Sequence, residues 1–532
     1  MKNARKVGTK AAAVLLAAAL SFSGCAQPAE GGETSTMQSD EQSSSASGGQ
    51  ISSSPDITAE ELMAQIKMAP NGAGVSVHDP SIKKFDGRYY LYGSHMTGAC
   101  SDDLQTWTTI GDGYTPDNPL FDNLFADGLG IFDYAGDYGN GTYAVWAEDV
   151  IYLEQMQKYV MYFCVSSTYI KSNLCYAVAD RPEGPYVYQG PLLYSGFTTL
   201  DVQKTDVFSV VEPAEASSYW NGGNYNNMLW PNCIDPAPFF DKDGRLWMVY
   251  GSWSGGIFLL ELDPATGLVI HPESDPENNV DAYFGKRLLG GGHVSIEGPY
   301  IQYDSDSGYY YLYVSYGGLE RTGGYQIRVF RSEAPDGPYV DMNGAAPSPI
   351  GLDHAPYGLK LSGNYDMPSC ETAYMATGGQ SVFQDDDGKT YVCYHSRFDN
   401  GSEYHEPCVK QVFLNKEGWP VLAPFTTKGE TISAQGYEKE ELTGTYFFLN
   451  LGMDISDKIA EPVLITLQED GTVSGDIAGS WTFEDQSCFM SLTYGGTTYS
   501  GVFCRMQDEA GTDVMTFSAA GNNKSVWGAK YE

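Results

Sequence analysis

Four acidic residues precede strand-like segments at related positions in the chain. They are Asp79 in "HDPS", Asp149 in "WAED", Asp235 in "IDPA" and Glu297 in "IEGP". One Asp before Pro is ordinary turn chemistry, but four acids at equivalent positions indicate a shared site. Two carboxyl groups across a pocket hydrolyse glycosidic bonds, one as a protonated acid and the other as a base. A third negative charge nearby raises the pKa of the acid and keeps it protonated.

The acids are positioned by a segment that occurs five times. It reads "DGRYYLYGS" from Asp86 and returns, with changes, from Met156, Asp243, Ser307 and Asp387. Each copy is a turn, a hydrophobic strand and then small polar residues. The spacing of roughly 60 to 90 residues suits four-stranded blades with insertions. We therefore predict an all-β chain built on a five-bladed β-propeller, whose innermost strands direct the acids towards one axis.

Four regions follow from composition and pattern. We predict a lipoprotein-type signal peptide at 1–25, a disordered Ser/Gly/Glu-rich tether at 26–56, the propeller at 57–427 and a small C-terminal β-barrel or sandwich at 428–532. A short helix at 58–67 should open the propeller region, with a capping box at its start. In the C-terminal region, short strands alternate with DG and GG turns.

The N-terminus and the charge together predict where the protein acts. Basic residues, a short apolar run and "FSGC" resemble a bacterial lipoprotein signal with Cys25 as the lipidation site. Phe22 stands where that signal usually has Leu, so ordinary cleavage and secretion stay open. The net charge of −38 argues against nucleic-acid binding. We expect an extracytoplasmic monomer that meets the membrane only through a lipid at Cys25.

The cysteines carry a weaker signal. The chain has 10, so an odd number of nine follows when Cys25 is set aside. Their scattered spacing argues against a zinc site and predicts mostly buried thiols. Cys164 with Cys175, and Cys488 with Cys504, are the two pairs that the predicted strands leave open.

In combination, these motifs resemble glycoside hydrolase family 43, and within it the two-domain extracellular endo-1,5-α-L-arabinanases. The resemblance is carried by "HDPS", "IDPAPFF", "GSWSGGIF" and "EGPY", and it covers nearly everything after the tether. It implies Asp79 as general base, Asp235 as the residue that orients the site and tunes its pKa values, and Glu297 as general acid. Because the family inverts, the carboxyls of Asp79 and Glu297 should lie roughly 6.5–9.5 Å apart.

The resemblance also implies a substrate and the residues that bind it. The substrate would be α-1,5-linked L-arabinan, as in the side chains of plant cell-wall pectin. Trp253 would stack on a sugar ring. The candidate substrate-binding residues are Trp146, Asp149, Asn232, Ser252, Trp253 and Ser254.

The family further implies one Ca²⁺ at the channel centre, held in part by the His of a "GHxS" motif. Here the motif reads "GGQS", from Gly378 to Ser381, so that His is absent. Gln380 offers a carbonyl oxygen, an acceptable calcium ligand, and His395 is the nearest histidine in sequence. These two residues are the candidate metal ligands.

Two other functions remain open at this point. An exo-acting arabinofuranosidase or β-xylosidase would use the same carboxyl groups on the end of a chain. A non-catalytic surface glycan-binding lipoprotein would keep the propeller without cutting the sugar, although binding alone has no need of a protonated Glu.

Overall fold

The computed structural model describes residues 58–531, apart from 123, 127, 138–142 and 169. The predicted signal peptide, the tether and the lipidation site Cys25 lie outside these residues. Within the described part of the chain, none of the helices is both long and apolar enough to cross a bilayer.

The first element is a short helix, α1 (Ala59–Met63). Thr58 caps it, and the reciprocal hydrogen bonds between Thr58 and Glu61 form the predicted capping box. The helix is shorter than the predicted range, and Leu62 is its one buried residue. The other helices are α2 (Val207–Val210) and α3 (Lys439–Leu442), with 3-10 turns at Val202–Lys204, Ala216–Tyr219 and Pro276–Asn278.

Five antiparallel sheets form the blades, and the prediction of a five-bladed propeller is confirmed. Blade 1 contains β1 (His78–Phe85), β2 (Arg88–Ser94), β3 (Thr97–Ser101) and β4 (Thr108–Gly111). Blade 2 contains β5 (Phe121–Asp122), β6 (Ala144–Leu153), β7 (Lys158–Ser166), β8 (Ser172–Ala179) and β9 (Tyr186–Ser195), with β5 parallel to β9 at its edge.

The third blade is the most elaborate. A separate ribbon, β10 (Trp220–Asn221) with β11 (Asn224–Tyr225), precedes it. Blade 3 contains β12 (Ala237–Phe240), β13 (Leu246–Tyr250), β14 (Ile257–Leu262), β15 (Val269–Ile270), β16 (Val280–Asp281) and β17 (Gly285–Leu289).

Blades 4 and 5 return to four strands each. Blade 4 contains β18 (Ile296–Asp304), β19 (Tyr309–Tyr316), β20 (Gln326–Ser332) and β21 (Leu359–Lys360). Blade 5 contains β22 (Tyr374–Gln384), β23 (Thr390–Phe398), β24 (Glu406–Leu414) and β25 (Pro420–Leu422). The innermost strands β1, β6, β12, β18 and β22 contact one another in that order, and β22 contacts β1 to close the ring.

The C-terminal region is a closed eight-stranded barrel, which decides between the predicted barrel and sandwich. Its strands are β26 (Gly444–Asn450), β27 (Val463–Leu467), β28 (Thr472–Gly475), β29 (Gly479–Phe483), β30 (Phe489–Tyr494), β31 (Thr497–Gln507), β32 (Asp513–Gly521) and β33 (Lys524–Lys530). Its interior is filled by large side chains such as Tyr446, Trp481 and Phe517, as small barrels require.

The barrel packs on blades 4 and 5 through one continuous apolar cluster. Trp527 of β33 is fully buried there, and its ring meets that of Tyr365 edge-on at 5.0 Å. The buried ammonium of Lys410 lies 4.6 Å from the Trp527 ring and 4.5 Å from the Tyr365 ring, and it donates to the carbonyl of Pro424. The two regions therefore share a core at this contact.

All nine cysteines after Cys25 are unpaired thiols, and only Cys488 is not buried. The prediction of mostly buried thiols is confirmed, and neither candidate pair forms. Cys164 and Cys175 lie on the neighbouring strands β7 and β8, but Cys164 is opposite Leu174 while Cys175 is opposite Phe163. Adjacent positions of a strand point to opposite faces, so the two sulfurs face different cores.

We predict that Trp527→Ala will lower the free energy of unfolding by about 3 to 5 kcal/mol, because it empties a fully buried aromatic site. Chemical denaturation followed by circular dichroism would measure the change. Leu200→Ala, at a side chain that is 89% exposed, is the control and should change stability by less than about 0.5 kcal/mol. Equal denaturation midpoints for the two variants would contradict a shared core.

Candidate active site

A cavity of about 40 Å³ lies where the five innermost strands meet. Each strand, or the residues just before it, contributes three consecutive residues to the cavity wall. The triplets are Asp79–Ser81, Ala147–Asp149, Asp235–Ala237, Gly298–Tyr300 and Gly379–Ser381. The first residue of every triplet has a left-handed backbone, with φ between 50° and 60°. The pseudo-symmetry of the propeller thus extends to single residues at the axis.

Four of the five left-handed residues sit at β-bulges, while Asp235 comes just before β12, and this changes how the acids correspond. The pairing register breaks between His78 and Ser81, and at the matching places in β6, β18 and β22. Asp79 and Asp235 are themselves left-handed residues, whereas Glu297 comes one residue before Gly298 and Asp149 comes two residues after Ala147. Our expectation that four acids are equivalent was therefore wrong. Only two are, because a bulge redirects the side chains on either side of it.

A ring of hydrogen bonds ties each blade to the next at this level. The N–H of each left-handed residue donates to a side chain of the preceding blade. The donor and acceptor pairs are Ala147 to Ser94 Oγ (2.9 Å), Asp235 to Cys164, Gly298 to Asp235 Oδ2 (3.1 Å), Gly379 to Ser315 Oγ (2.9 Å) and Asp79 to His395 Nδ1 (3.2 Å). Blade 3 has Gly251 where the other blades have an accepting side chain, so the Asp235 carboxylate accepts instead.

The Asp79 carboxyl group is held in the ionised state. The Nδ1–H of His78 donates to Oδ2 over 2.7 Å, and Ser94 Oγ donates to the same oxygen over 2.8 Å. Burial opposes ionisation, but His78, Ser94 and the nearby His95 outweigh burial, and the pKa of Asp79 is lowered. Both donors bind Oδ2, whereas Oδ1 lies 3.6 Å from His395 Nδ1.

Glu297 and Asp235 are held in the opposite state. Burial and then the charge of Asp79 raise the pKa of Glu297, although hydrogen bonds from Tyr325, Ser252 and Trp253 oppose the rise. Burial, Glu297 and Asp79 raise the pKa of Asp235 well above its usual range. Like charges that lie close together cannot all ionise. The site therefore contains one ionised carboxylate next to two that retain protons at higher pH.

The turn after β13 brings the "GSWSGG" motif to Glu297. Ser252 Oγ donates to Glu297 Oε2 over 2.9 Å, and the N–H of Trp253 donates to the Ile296 carbonyl over 2.8 Å. Trp253 has a φ of 46° and is partly exposed, with its ring 5.4 Å from that of His293. Ser254 is almost fully buried, and its carbonyl accepts from the N–H of His293. Ser252 and Trp253 thus contact the acid, and Ser254 supports the turn.

The remaining candidates are Asp149 and Trp146 of blade 2 and Asn232, which precedes blade 3. Asp149 lies deeper in the channel, where Ser81 Oγ and Lys83 Nζ bind its Oδ1 at 2.7 and 2.8 Å. Asn232 is buried between blades, and its Oδ1 accepts from Ser172 at 2.8 Å and Ser195 at 3.3 Å. Trp146 precedes the bulge of β6 and pairs with Cys164. The contacts of Asp149 with Ser81 and Lys83 are those of a structural ion pair.

Sequence reasoning missed two side chains that bind the acids. His78 precedes Asp79 in the "HDPS" motif, so its place beside the carboxyl group was open to prediction. Tyr325 gave no such signal, because it lies in "GGYQIRVF", far along the chain from Glu297. Tyr325 is buried, and its hydroxyl hydrogen bonds to Glu297.

Comparisons with known proteins agree with this geometry. Residues 192–420 match the model for glycosyl hydrolases family 43, and residues 424–528 match the family's C-terminal lipocalin-like domain. The extracellular endo-α-(1→5)-L-arabinanase 2 of Bacillus subtilis is 39% identical, over 86% of this chain and 93% of that protein. The chain belongs to glycosyl hydrolase family 43.

Solved structures extend the likeness over both domains of this family 43 hydrolase. The endo-1,5-α-L-arabinanase from Thermotoga petrophila is 37% identical, with a TM-score of 0.76 over 88% of this chain and 100% of that one. A family 43 protein, YxiA, from Bacillus licheniformis is 39% identical, with the same TM-score over 87% and 100% of the two chains.

The two candidate metal ligands do not offer what the family's Ca²⁺ requires. Calcium takes six to eight oxygen ligands. Gln380 Oε1 accepts from Ser315 over 2.8 Å and its Nε2 donates to the Gly298 carbonyl over 2.6 Å, while His395 Nδ1 accepts from Asp79. A Cβ at Gly379, where the family has His, would overlap Asp79 Oδ1 and lie 2.8 Å from His395 Nδ1. This donor set does not fit calcium.

Three side chains beside the cavity lie close enough together to share a metal ion. Among the residues that the structure describes, only His78, Asp79 and His395 place three ligand atoms within 4.8 Å of one another. Two imidazoles and one carboxylate suit a transition metal rather than calcium. His78 Nδ1 already donates to Asp79 Oδ2, and His395 Nδ1 accepts the backbone N–H of Asp79, while His395 Nε2 is buried with no hydrogen-bond partner among the described residues.

Lys83 and Asp149 form an ion pair deeper in the channel, and this pair should contribute to stability. Lys83 and Asp149 are 14% and 4% exposed, and Lys83 also donates to the Tyr300 hydroxyl over 2.6 Å. We predict that Lys83→Met will cost about 3 to 5 kcal/mol, because it leaves the Asp149 charge buried and unpaired. The deficit should shrink as the pH falls, since Asp149, whose pKa burial already raises, then takes up a proton.

Thermal unfolding at several pH values would measure this effect. Lys416→Met is the matched control, because Lys416 also pairs with one carboxylate, Glu484, but at the surface. It should cause no measurable change. A Lys83→Met variant as stable as this control would contradict the charge pairing.

Proposed function

We propose that the protein is an endo-1,5-α-L-arabinanase that hydrolyses α-1,5-linked L-arabinan with inversion. The observation that carries the proposal is the division of charge at one end of the channel, where the pKa of Asp79 is lowered and that of Glu297 is raised. A base and an acid on opposite sides of a glycosidic bond need these states. The names of the similar proteins from Bacillus subtilis and Thermotoga petrophila support the choice of substrate.

In this proposal, Asp79 is the general base. His78 and Ser94 bind Oδ2 and keep the carboxylate ionised, so Oδ1 is available to accept a proton from the attacking water. The water then attacks the anomeric carbon on the face away from the leaving oxygen. The predicted separation of 6.5–9.5 Å between the two carboxyl groups leaves room for this water, and it remains a prediction.

Glu297 is the proposed general acid, and Asp235 is the proposed residue that orients it and tunes its pKa. Glu297 donates its proton to the leaving glycosidic oxygen as the bond breaks. Asp235 accepts from the Gly298 N–H, directly after Glu297, so it also fixes the backbone that carries the acid. Trp253, which hydrogen bonds to Glu297, is the proposed surface for a sugar ring.

The proposal includes the place of action. Both similar proteins are called extracellular, which supports an extracytoplasmic enzyme acting on the arabinan side chains of plant cell-wall pectin. We propose a monomer held at the cell surface through a lipid at Cys25. Mass spectrometry of the purified N-terminus would detect the lipid, and an unmodified N-terminus after cleavage elsewhere would indicate secretion.

The time course of products tests the endo mode. With debranched linear arabinan, we expect short arabino-oligosaccharides to appear before arabinose, measured by anion-exchange chromatography. Arabinose alone from the first time point would indicate an exo-acting enzyme. No product, with the protein still retarded on an arabinan affinity gel, would indicate a glycan-binding protein.

Replacing the acid tests the roles directly. Glu297→Gln should lower kcat on linear arabinan by about 10² to 10⁴-fold, the usual contribution of a positioned acid, with little change in arabinan affinity. An aryl arabino-oligosaccharide with a good leaving group should lose much less, since its departure needs no proton. Glu484→Gln, on the surface of the barrel, is the control and should match the wild type. Equal losses on both substrates would contradict the acid role.

A further inference from the structure

Three aromatic rings from three blades stack beside the proposed catalytic carboxyls. The ring centroids of His78 and His395 lie 4.1 Å apart with planes at 22°, and those of His395 and Tyr325 lie 5.7 Å apart with planes at 20°. Each outer ring hydrogen bonds to one carboxyl group, His78 to Asp79 and Tyr325 to Glu297. The stack therefore connects the proposed base to the proposed acid.

The middle ring occupies a defined place in the blade-to-blade ring of hydrogen bonds. His395 pairs with Gly378 across blade 5, as Ser94 pairs with His78 and Ser315 with Glu297 in their blades. In blades 1 and 4 a hydroxyl accepts the N–H of the next blade, and in blade 5 the Nδ1 of His395 does so. Nδ1 accepts only when it carries no proton.

Two glycines make room for these rings. A Cβ at Gly378 would overlap the edge of the Tyr325 ring and lie 2.9 Å from Ser315 Oγ. A Cβ at Gly379 would overlap Asp79 Oδ1 and approach two atoms of the His395 ring, at 2.8 and 2.9 Å. Real Cβ atoms essentially never come this close, so a side chain at either position would displace the stack. The family's His at position 379 and this arrangement exclude each other.

We propose that the His78–His395–Tyr325 stack aligns the base with the acid in this chain and takes the place of the family's channel-centre metal. The proposal rests on the assignment of Asp79 and Glu297 made under the proposed function. The three rings are positioning residues, because they act through the two carboxyl groups. Gly378 and Gly379 are required only because the rings occupy the space that a side chain would fill.

The metal content of the purified protein is the first test. We expect far less than one calcium or transition-metal ion per chain by elemental analysis, and unchanged kcat on linear arabinan after EDTA treatment and desalting. One tightly bound calcium whose removal lowers activity would overturn the proposal. One zinc or nickel ion per chain, lost in His395→Phe, would overturn it too, since His78, Asp79 and His395 would then be a metal site.

The glycine pair gives the second test. Gly379→Ala should lower kcat by about 100-fold, the effect of a displacement of roughly 1 Å at a reacting group. Gly388→Ala is the matched control, because Gly388 has a φ of 83° in the same blade but its Cβ would meet nothing within 4 Å. Both variants carry the strain of a left-handed Ala, so only Gly379→Ala should lose activity. Equal activity of the two variants would overturn the proposal.

The third test keeps the fold intact and reads the acid through its pH dependence. The Tyr325 hydroxyl favours ionised Glu297, so Tyr325→Phe should raise the pKa of Glu297 further. Because the acid must be protonated, the alkaline limb of kcat/KM should move to higher pH. The groups that face Glu297 are Asp79, Asp235, Ser252, Trp253 and Tyr325. An unmoved limb would overturn the role of Tyr325.

Matched ring and hydroxyl controls separate this effect from simple packing. Tyr311→Phe removes a buried hydroxyl of the same blade that binds the Gly418 carbonyl, and it should leave the limb in place. His395→Phe keeps a ring but loses the Nδ1 acceptor. It should lower kcat and leave KM nearly unchanged. His271→Phe, whose ring stacks on Tyr283 at 5.4 Å, is its control and should leave kcat unchanged.

The two proposals fail in different ways. A wild-type chain that does not cleave arabinan would overturn the proposed function. A wild-type chain that cleaves arabinan while Tyr325→Phe and Gly379→Ala behave like their controls would leave that function standing and overturn the role of the stack.

Discussion

The site depends on the need to satisfy five buried N–H groups at the propeller axis. A left-handed residue lies in or just before each innermost strand and leaves the strand ladder, so its N–H has to find another acceptor. In every blade that acceptor is a side chain of the preceding blade. These bonds close the ring and fix the position of each innermost strand along the propeller axis. The positions of Asp79, Asp235 and Glu297 follow from the positions of these strands.

Once the ring of hydrogen bonds is closed, the three carboxyl groups cannot move apart. Their mutual repulsion is avoided because only one of them is ionised. Asp79 has the strongest local donors, His78 and Ser94, and it takes the charge. Glu297 and Asp235 then keep protons because burial and the neighbouring charge disfavour a second ionisation. Below them, Lys83 neutralises Asp149. The channel thus contains two levels. At one level, one carboxyl group is ionised and two are protonated, and at the other the charge of Asp149 is neutralised by Lys83.

Much of this arrangement could be predicted from the sequence, and the rest fails for identifiable reasons. The alternating strands and DG turns indicate the blades, and Asp-Pro marks Asp79 and Asp235 as equivalent. The prediction placed Asp149 at the equivalent position because blade 2 has no proline after the left-handed Ala147, so its sequence lacks the signal that marks that position in blades 1 and 3. His395 and Tyr325 come from strands far apart in sequence, and no local pattern reports that Gly378 and Gly379 make room for both rings.

The barrel also contacts the start of β20, the strand next to Tyr325. Gly324 and Gln326 flank Tyr325 at the start of β20, and both contact the loop that follows the first barrel strand. A Cβ at Gly324 would lie 2.5 Å from the N atom of Ser456, and Gln326 Nε2 donates to the Asp454 carbonyl over 2.9 Å. The backbone on both sides of Tyr325 is therefore held by the barrel. Because the Tyr325 hydroxyl binds Glu297, the C-terminal domain helps to define the geometry of the proposed acid without contributing a residue to it.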